Sequence, residues 1–263
     1  MGFFFSCITP SASGGQPAQI YFMRKDKIPM SISALILMIV TITYKMVLVV
    51  IGAAVLIIRP RRIMIYLNPI IGWCYLGLIL NVICVGILLM LVYNSKAIRT
   101  VCINLLEFIN KIIKIKRKDY YIEKIESSMK QYEDVAVFIQ GQTIVLFKVF
   151  LMTLFQRTLL FFITYLVFRS FGFKSVSAVK IVTLQAMIVV AVDMLPLPGG
   201  MGISEKLFFM VFRPICGRKL ILPVMIASRG LSYYTELILS AVMTVAANFI
   251  IVDKEDFNDK ISM

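Results

Sequence analysis

At 263 residues and 60% hydrophobic side chains, the chain is more apolar than a soluble domain, for which about 45–50% is typical. Its net charge of +14 would suggest nucleic acid as a partner of a soluble protein. Here the basic residues cluster between apolar runs, where they set membrane orientation and meet anionic headgroups, so we expect no direct nucleic-acid binding. The chain has no histidine, and its five cysteines form no CxxC pair. We therefore expect no metal site, no cofactor and no catalytic residue.

Long runs with few or no charges predict helices that cross a membrane. Residues 69–93 carry no charged side chain over 25 positions, which at about 1.5 Å per residue spans a hydrocarbon core of about 30 Å. These runs lack the alternation of a β-barrel, so we predict an all-α polytopic integral membrane protein. We expect about five full spans plus two Gly/Pro-broken or re-entrant segments, around residues 2–22 and 203–228. The predicted spans are 30–58, 69–93, 144–168, 176–195 and 231–252.

The distribution of basic residues predicts the orientation. Segments 24–27 and 94–143 hold 12 Lys and Arg, against 5 in segments 59–68 and 169–177. Cytoplasmic loops carry the excess of basic residues, so we expect segment 94–143 to be cytoplasmic, in a cytoplasmic (inner) membrane. Arg59, Arg61 and Arg62 count against this orientation. The whole chain is predicted to be one domain, with a repeat half at 1–93, the segment 94–143, a second half at 144–252 and a polar tail at 253–263.

Within the predicted cytoplasmic segment, residues 98–118 have an amphipathic helical pattern. Apolar residues recur at three- and four-residue steps, and basic residues gather at the end. Such a helix can lie in the membrane interface against anionic lipid, or it can pack on the cytoplasmic face of the protein itself. The sequence leaves both alternatives open.

The stretch Pro196-Leu-Pro-Gly-Gly-Met-Gly-Ile-Ser-Glu205 interrupts an apolar run. Proline ends a helix, and glycines let the backbone turn and a ligand approach closely. The helix that restarts afterwards presents free N–H groups, which suit an anionic group such as a phosphodiester. The alternative is a kink or a tight interhelical contact, with Glu205 only complementing the dipole of its own helix.

An earlier stretch, Thr9-Pro-Ser-Ala-Ser-Gly-Gly-Gln-Pro-Ala-Gln19, echoes the later one. Both have a proline and a Gly-Gly pair, and the apolar runs Ile20–Met23 and Leu207–Met210 follow them. Weak internal symmetry with Gly/Pro-interrupted segments in matching places points to the substrate site of a transporter. Two predicted spans precede the second copy but only eight residues precede the first, so we expect one or more N-terminal helices to be missing.

Charged residues inside apolar spans are costly and mark functional positions. The three cations are Lys45, Arg157 and Arg229, and the three anions are Asp193, Glu205 and Glu236. We expect them to pair in a polar interior, but spacing alone does not say which pairs form. For Lys148 and Lys180, near span ends, snorkelling to the interface is the expected behaviour.

The two Gly-Gly stretches and the run Arg229-Gly-Leu-Ser-Tyr-Tyr234 together resemble the lysylphosphatidylglycerol synthase transmembrane-region family of flippase-like proteins, the membrane half of the bacterial multiple peptide resistance factor. The similarity covers essentially the whole chain, which spans the last two thirds or more of the family's membrane domain. The resemblance implies lipid-binding roles for both Gly-Gly motifs and for the arginine–tyrosine run. It carries over Gly14, Gly15, Gln16, Gln19, Gly199, Gly200, Gly202, Glu205, Arg229 and Tyr233; Arg157, Lys45 and Glu236 are added from their burial cost.

The resemblance implies a lipid flippase-like protein for (lysyl-)phosphatidylglycerol or a related anionic or aminoacylated lipid, linked to envelope charge and cationic peptide resistance. In some members of the family the membrane domain is fused to an aminoacyltransferase, so phosphatidylglycerol lysyltransferase is one alternative. That enzyme needs a sizeable soluble domain, and the longest polar stretch here is 94–143. A lipid-binding subunit that transports nothing is the other alternative. Membrane lipids are the expected partners; a second copy of the chain and a separately encoded aminoacyltransferase are further candidates.

Overall fold

The computed structural model describes residues 2–9, 14–94, 100, 137, 141–197 and 200–246, and its elements are helices. The predicted all-α class is confirmed for these residues. The amphipathic pattern at 98–118 and the tail at 253–263 lie outside the described residues, apart from Thr100. The helices are α1 (Gly2–Ile8), α2 (Gly15–Lys25), α3 (Met30–Ile58), α4 (Arg61–Leu67), α5 (Ile71–Tyr93), α6 (Thr143–Ser170), α7 (Ala178–Val192) and α8 (Ile203–Arg229). A 3-10 turn (Asn68–Ile70) joins α4 to α5, and a π turn (Gly230–Tyr234) follows α8.

Three helical stretches have the length and apolar composition needed to cross a membrane: Met30–Ile58, Arg61–Tyr93 and Thr143–Ser170. They contain the predicted spans 30–58, 69–93 and 144–168. The exposed large side chains on them are mostly Ile, Leu, Val, Met and Phe, as expected for surfaces that contact lipid rather than water.

The predicted full span at 176–195 is not realised. Helix α7 has 15 residues, about 22 Å at 1.5 Å per residue, which is shorter than the hydrocarbon core. It ends at Asp193, and the chain turns before α8 begins. Gly200 (φ 65°) and Gly202 (φ 84°) adopt left-handed backbone angles in this turn, which glycine tolerates best. The apolar run therefore ends inside the fold and not at its surface.

Helix α8 folds back on itself at Gly217. Glu205 and Arg229 are 24 residues apart, which in a straight helix is about 36 Å, yet their side chains form an ion pair at 2.8 Å. Gly217 lies midway between them with φ 70° and ψ 172°, and Pro214 precedes it. Residues 203–216 thus form a first limb and residues 218–229 a second limb, which continues through the π turn to residue 246. The sequence predicted a Gly/Pro-broken or re-entrant segment around 203–228, but it did not place the turn at Gly217.

Two helical hairpins enter the fold from opposite ends. The first hairpin (α1 and α2) is antiparallel, since Gly15 packs against Ser6 and the later Gln19 packs against the earlier Gly2, and it leads into the start of α3. We call this end of the bundle the Lys25 end. The second hairpin (α7 and the first limb of α8) opens where the Gly217 turn contacts Pro69, at the other end of α3, which we call the Arg59 end. Opposed hairpins of this kind are the arrangement found in inverted-repeat transporters.

The core lies between α4, α5, the C-terminal end of α6, α7 and both limbs of α8. Phe168 and Phe212 pack with ring centroids 5.0 Å apart, and Ile181, Leu184 and Met187 of α7 are fully buried. Helix α7 is therefore the most enclosed helix among those described, and it holds Asp193 at a fixed place in the interior.

The Gly217 turn also changes the charge count behind the predicted orientation. Arg213, Arg218 and Lys219 join the Arg59 end, which the sequence count had credited with 5 basic residues. The excess of basic residues on the opposite side, which holds 12, therefore becomes smaller. The cytoplasmic placement of segment 94–143 stays a prediction, because most of that segment lies outside the described residues.

Candidate functional site

The Glu205–Arg229 pair joins the two limbs of α8. Arg229 Nε and Nη2 both lie 2.8 Å from Glu205 Oε1. Glu205 Oε2 accepts hydrogen bonds from the backbone N–H of Gly202 at 2.6 Å and from the hydroxyl of Ser204 at 3.0 Å. The carboxylate thus caps the first turn of α8, as in the second alternative that the sequence offered, and it also neutralises an arginine.

A second ion pair joins α3 to the end of α7. Lys45 Nζ contacts Asp193 Oδ2, and the hydroxyl of Tyr44 donates a hydrogen bond of 2.6 Å to Asp193 Oδ1. Both charged side chains are only 11% exposed. Lys45 lies near the middle of the 29-residue α3, so this pair is placed well inside the bundle. In such an environment a lone charge is expensive and a paired one is tolerated.

Arg157 of α6 connects this pair to Glu236. Its guanidinium lies over the ring of Tyr44, 4.2 Å from the centroid, and its charge also acts on Glu236. Its Nε is buried and has no hydrogen-bond partner among the described residues. Two of the three cations thus form ion pairs with two of the three anions, and the third cation, Arg157, interacts with Glu236 through its charge without a described ion pair.

Tyr233 brings the first hairpin to the charged cluster. The guanidinium of Arg229 lies 4.9 Å from the centroid of its ring, and its hydroxyl is hydrogen bonded to the thiol of Cys7. Phe3 of α1 packs edge-on against the same ring at 6.3 Å. Both hairpins thus reach the same polar region, which we call the charged cluster: Lys45, Arg157, Arg229, Asp193, Glu205 and Glu236, with Tyr44 and Tyr233.

The first Gly-Gly motif lies at the contact between α1 and α2 and not in the charged cluster. A Cβ on Gly15 would lie 1.8 Å from Ser6 Oγ, and one on Gly14 would lie 2.6 Å from Thr9 Cγ2, so these glycines allow α2 to pack closely on α1. Gln19 packs against Gly2, and Gln16 Nε2 donates to Thr41 Oγ1 at 2.9 Å. No described contact joins these four residues to the charged cluster, although Thr41 lies one helical turn before Lys45.

In the second motif Gly200 and Gly202 form the turn before α8 and Glu205 enters the charged cluster. Gly199 lies outside the described residues. Three residues that interact with side chains of the charged cluster were not predicted from the sequence: Tyr44, Ser204 and Cys7. Tyr44 could have been suspected from its position beside Lys45. Ser204 and Cys7 carry no local signal, because tertiary contacts alone bring them to the cluster.

The arrangement can exchange partners with a ligand that carries both signs of charge. Arginine suits a phosphodiester through paired N–H donors, and carboxylates suit ammonium groups. Among the described residues, no group of three His, Cys, Asp or Glu side chains could hold a metal ion.

The comparisons with known proteins give one match. A family model described as the lysylphosphatidylglycerol synthase TM region matches residues 1–240. No curated protein and no solved structure matches the chain.

Proposed function

This chain belongs to the lysylphosphatidylglycerol synthase transmembrane-region family, and from that premise we propose that it moves lysylphosphatidylglycerol, or a related anionic or aminoacylated phospholipid, between membrane leaflets. Membership makes it a membrane protein related to lysylphosphatidylglycerol metabolism. We further propose a bacterial cytoplasmic membrane as its location, with resistance to cationic peptides as the consequence of the altered envelope charge.

The observation that carries the proposal is the charged cluster between two opposed hairpins. Two of its charged side chains, Lys45 and Asp193, are only 11% exposed, and a buried ion pair of this kind is often no more stable than apolar side chains of similar volume. Charges kept inside a membrane bundle mark the path of a charged substrate. A phospholipid headgroup is the charged part of the family's lipid, and it is the part that must cross the bilayer interior.

Exchange of ion-pair partners supplies a mechanism. In the described arrangement Arg229 is neutralised by Glu205. A phosphodiester can take over the N–H donors of Arg229 while an ammonium of the lysyl group takes over Glu205. The number of paired charges is then unchanged on binding, so the desolvation cost of bringing a headgroup into the bundle is offset. Arg157 offers a further donor, since its Nε has no described partner.

The test is a leaflet-resolved assay of lysylphosphatidylglycerol in vesicles that contain the purified full-length protein. The double variant Glu205→Gln plus Arg229→Gln removes both charges of one pair together, so no uncompensated charge is left in the bundle. We expect the transfer rate to fall by at least about tenfold, the effect of losing one charge-assisted hydrogen bond.

The matched control is Lys206→Gln, an exposed cation next to Glu205, which should transfer lipid at the unaltered rate. Unchanged transfer in the double variant would remove the proposed mechanism. Saturable lipid binding without any transfer by the unaltered protein would assign the chain to the non-transporting subunits. Lysyl-lipid formed from lysyl-tRNA and phosphatidylglycerol by the purified chain would make it an enzyme.

A further inference from the structure

A cleft at the Gly217 turn lies at the Arg59 end of the bundle, away from the charged cluster. It has a volume of about 430 Å³ and is lined by Pro69, Met210, Arg213, Pro214, Gly217 and Arg218. We call it the turn cleft. Its volume is within the range of about 300–1,000 Å³ found for ligand pockets.

The backbone makes this cleft. Pro214 lacks the N–H that would continue the helix, and Gly217 adopts a φ of 70° that reverses the chain. The opposite wall is Pro69, in the 3-10 turn between α4 and α5. The chain reversal at Gly217 therefore faces the 3-10 turn, and Arg213 and Arg218 line the gap between them.

The cleft arginines differ from three other cations at this end, which have partners within the protein. Arg59 donates to Tyr75 and to the carbonyl of Leu56, Arg169 donates to the carbonyl of Lys174, and Lys180 lies over the ring of Tyr66 at 3.7 Å. Arg213 and Arg218 are exposed, and the described part of the chain offers them no hydrogen bond or ion pair. Their guanidinium groups are thus available to a ligand.

The surroundings select an anion. Nine basic residues lie at the Arg59 end: Arg59, Arg61, Arg62, Arg169, Lys174, Lys180, Arg213, Arg218 and Lys219. The acidic residues that the structure describes are Asp26, at the Lys25 end, and Asp193, Glu205 and Glu236, in the charged cluster. Among the described residues, the turn cleft therefore has only basic charged side chains at its end of the bundle, and guanidinium groups match the geometry of a phosphodiester.

We propose that the turn cleft is a second anion site, in which Arg213 and Arg218 bind the phosphodiester headgroup of an anionic phospholipid from the leaflet at the Arg59 end. The flanking Met210 and Pro69 contact the glycerol and upper acyl region of the lipid. This site goes beyond the proposed transport function and does not depend on it, because it lies outside the charged cluster and requires no movement of lipid across the membrane.

Trp73 provides the probe. It is the only tryptophan of the chain, it is 38% exposed, and it follows Pro69 by four residues. The full chain is placed in phosphatidylcholine vesicles that contain increasing fractions of brominated phosphatidylglycerol or, separately, brominated phosphatidylcholine. Bromine quenches tryptophan fluorescence at short range, so excess quenching by phosphatidylglycerol measures its enrichment beside the turn cleft. We expect a clear preference for phosphatidylglycerol in the unaltered protein.

Arg213→Gln plus Arg218→Gln should lower this preference about tenfold, as expected for the loss of a charge-assisted contact. Arg61→Gln plus Arg62→Gln removes the same charge from the same end outside the cleft and should keep most of the preference. Equal loss in both double variants would show attraction by diffuse surface charge and overturn the proposal, as would a preference that the cleft variant retains.

Inorganic phosphate distinguishes the source of the anion. If millimolar phosphate relieves the excess quenching, the phosphate group alone is sufficient for binding. If it does not, while the cleft variant still loses the preference, the lipid body is needed as well; both results support the site. The Glu205→Gln plus Arg229→Gln variant should keep the preference even where transfer is lost, which separates this proposal from the transport function.

Discussion

The ion pair of Lys45 and Asp193 shows how a single buried side chain can affect the stability of this fold. Each side chain is nearly enclosed, and each has the other as its counter-charge, with Tyr44 as an additional donor to the carboxylate. Removing one partner of a buried pair leaves a lone charge, whereas removing both leaves none. The pair is therefore expected to behave as a unit in any measurement of stability.

We expect Asp193→Asn to destabilise the protein by about 3–5 kcal/mol, because Lys45 is then left without its counter-charge. Adding Lys45→Met should restore most of that loss. Thermal unfolding of the purified protein in one detergent measures both variants. The control is Lys148→Met, an exposed lysine of α6, for which little change is expected. A double variant as unstable as the single one would mean that Asp193 acts through Tyr44 and not through Lys45.

At the scale of elements, the contact between α5 and α7 fixes the depth at which Asp193 lies. A Cβ on Gly77 would lie 2.1 Å from the carbonyl oxygen of Val190 and 2.7 Å from Cα of Ala191. Both are backbone atoms, which cannot move aside as a flexible side chain would. Helix α7 can approach α5 this closely only because residue 77 has no side chain.

Gly77→Ala should therefore separate the two helices and destabilise the protein by about 1–3 kcal/mol, the usual effect of overpacking. Gly86→Ala is a matched control on the same helix, since nothing lies within 4 Å of its Cβ position. Its unfolding temperature should stay the same or rise slightly, because alanine favours a helix over glycine. Equal unfolding temperatures for the two variants would contradict the close contact.

The elements also show what the sequence could predict and what it could not. Hydropathy placed α3, α5 and α6 because lipid demands long apolar helices wherever the chain crosses. Hydropathy overestimated the length of α7, since an apolar run has the same composition in a short buried helix as in a full span. The charged residues were found from their cost, but their pairing depends on how α8 folds back at Gly217. Pairing over 24 or 148 residues has no periodic signature in the sequence.

For the whole molecule, the opposed hairpins predict which parts of the chain face each side of the membrane. The first hairpin leads to the Lys25 end, and the Gly217 turn of the second lies at the Arg59 end. If α3 crosses the membrane, residue 25 and residue 218 must face different compartments. In the transport that we propose, each hairpin opens the charged cluster to one side, which fits alternating access.

Labelling with a membrane-impermeant thiol reagent tests this topology. Single cysteines are introduced as Lys25→Cys, Arg62→Cys and Arg218→Cys in a background whose five native cysteines are replaced. Arg62→Cys and Arg218→Cys should label from one side of sealed vesicles and Lys25→Cys only from the other, because the Gly217 turn and α4 share an end. Retained lipid transfer by the background variant confirms that it is folded. Labelling of Lys25→Cys and Arg218→Cys from the same side would leave both hairpins at one surface, and an inverted arrangement around the charged cluster could not then be maintained.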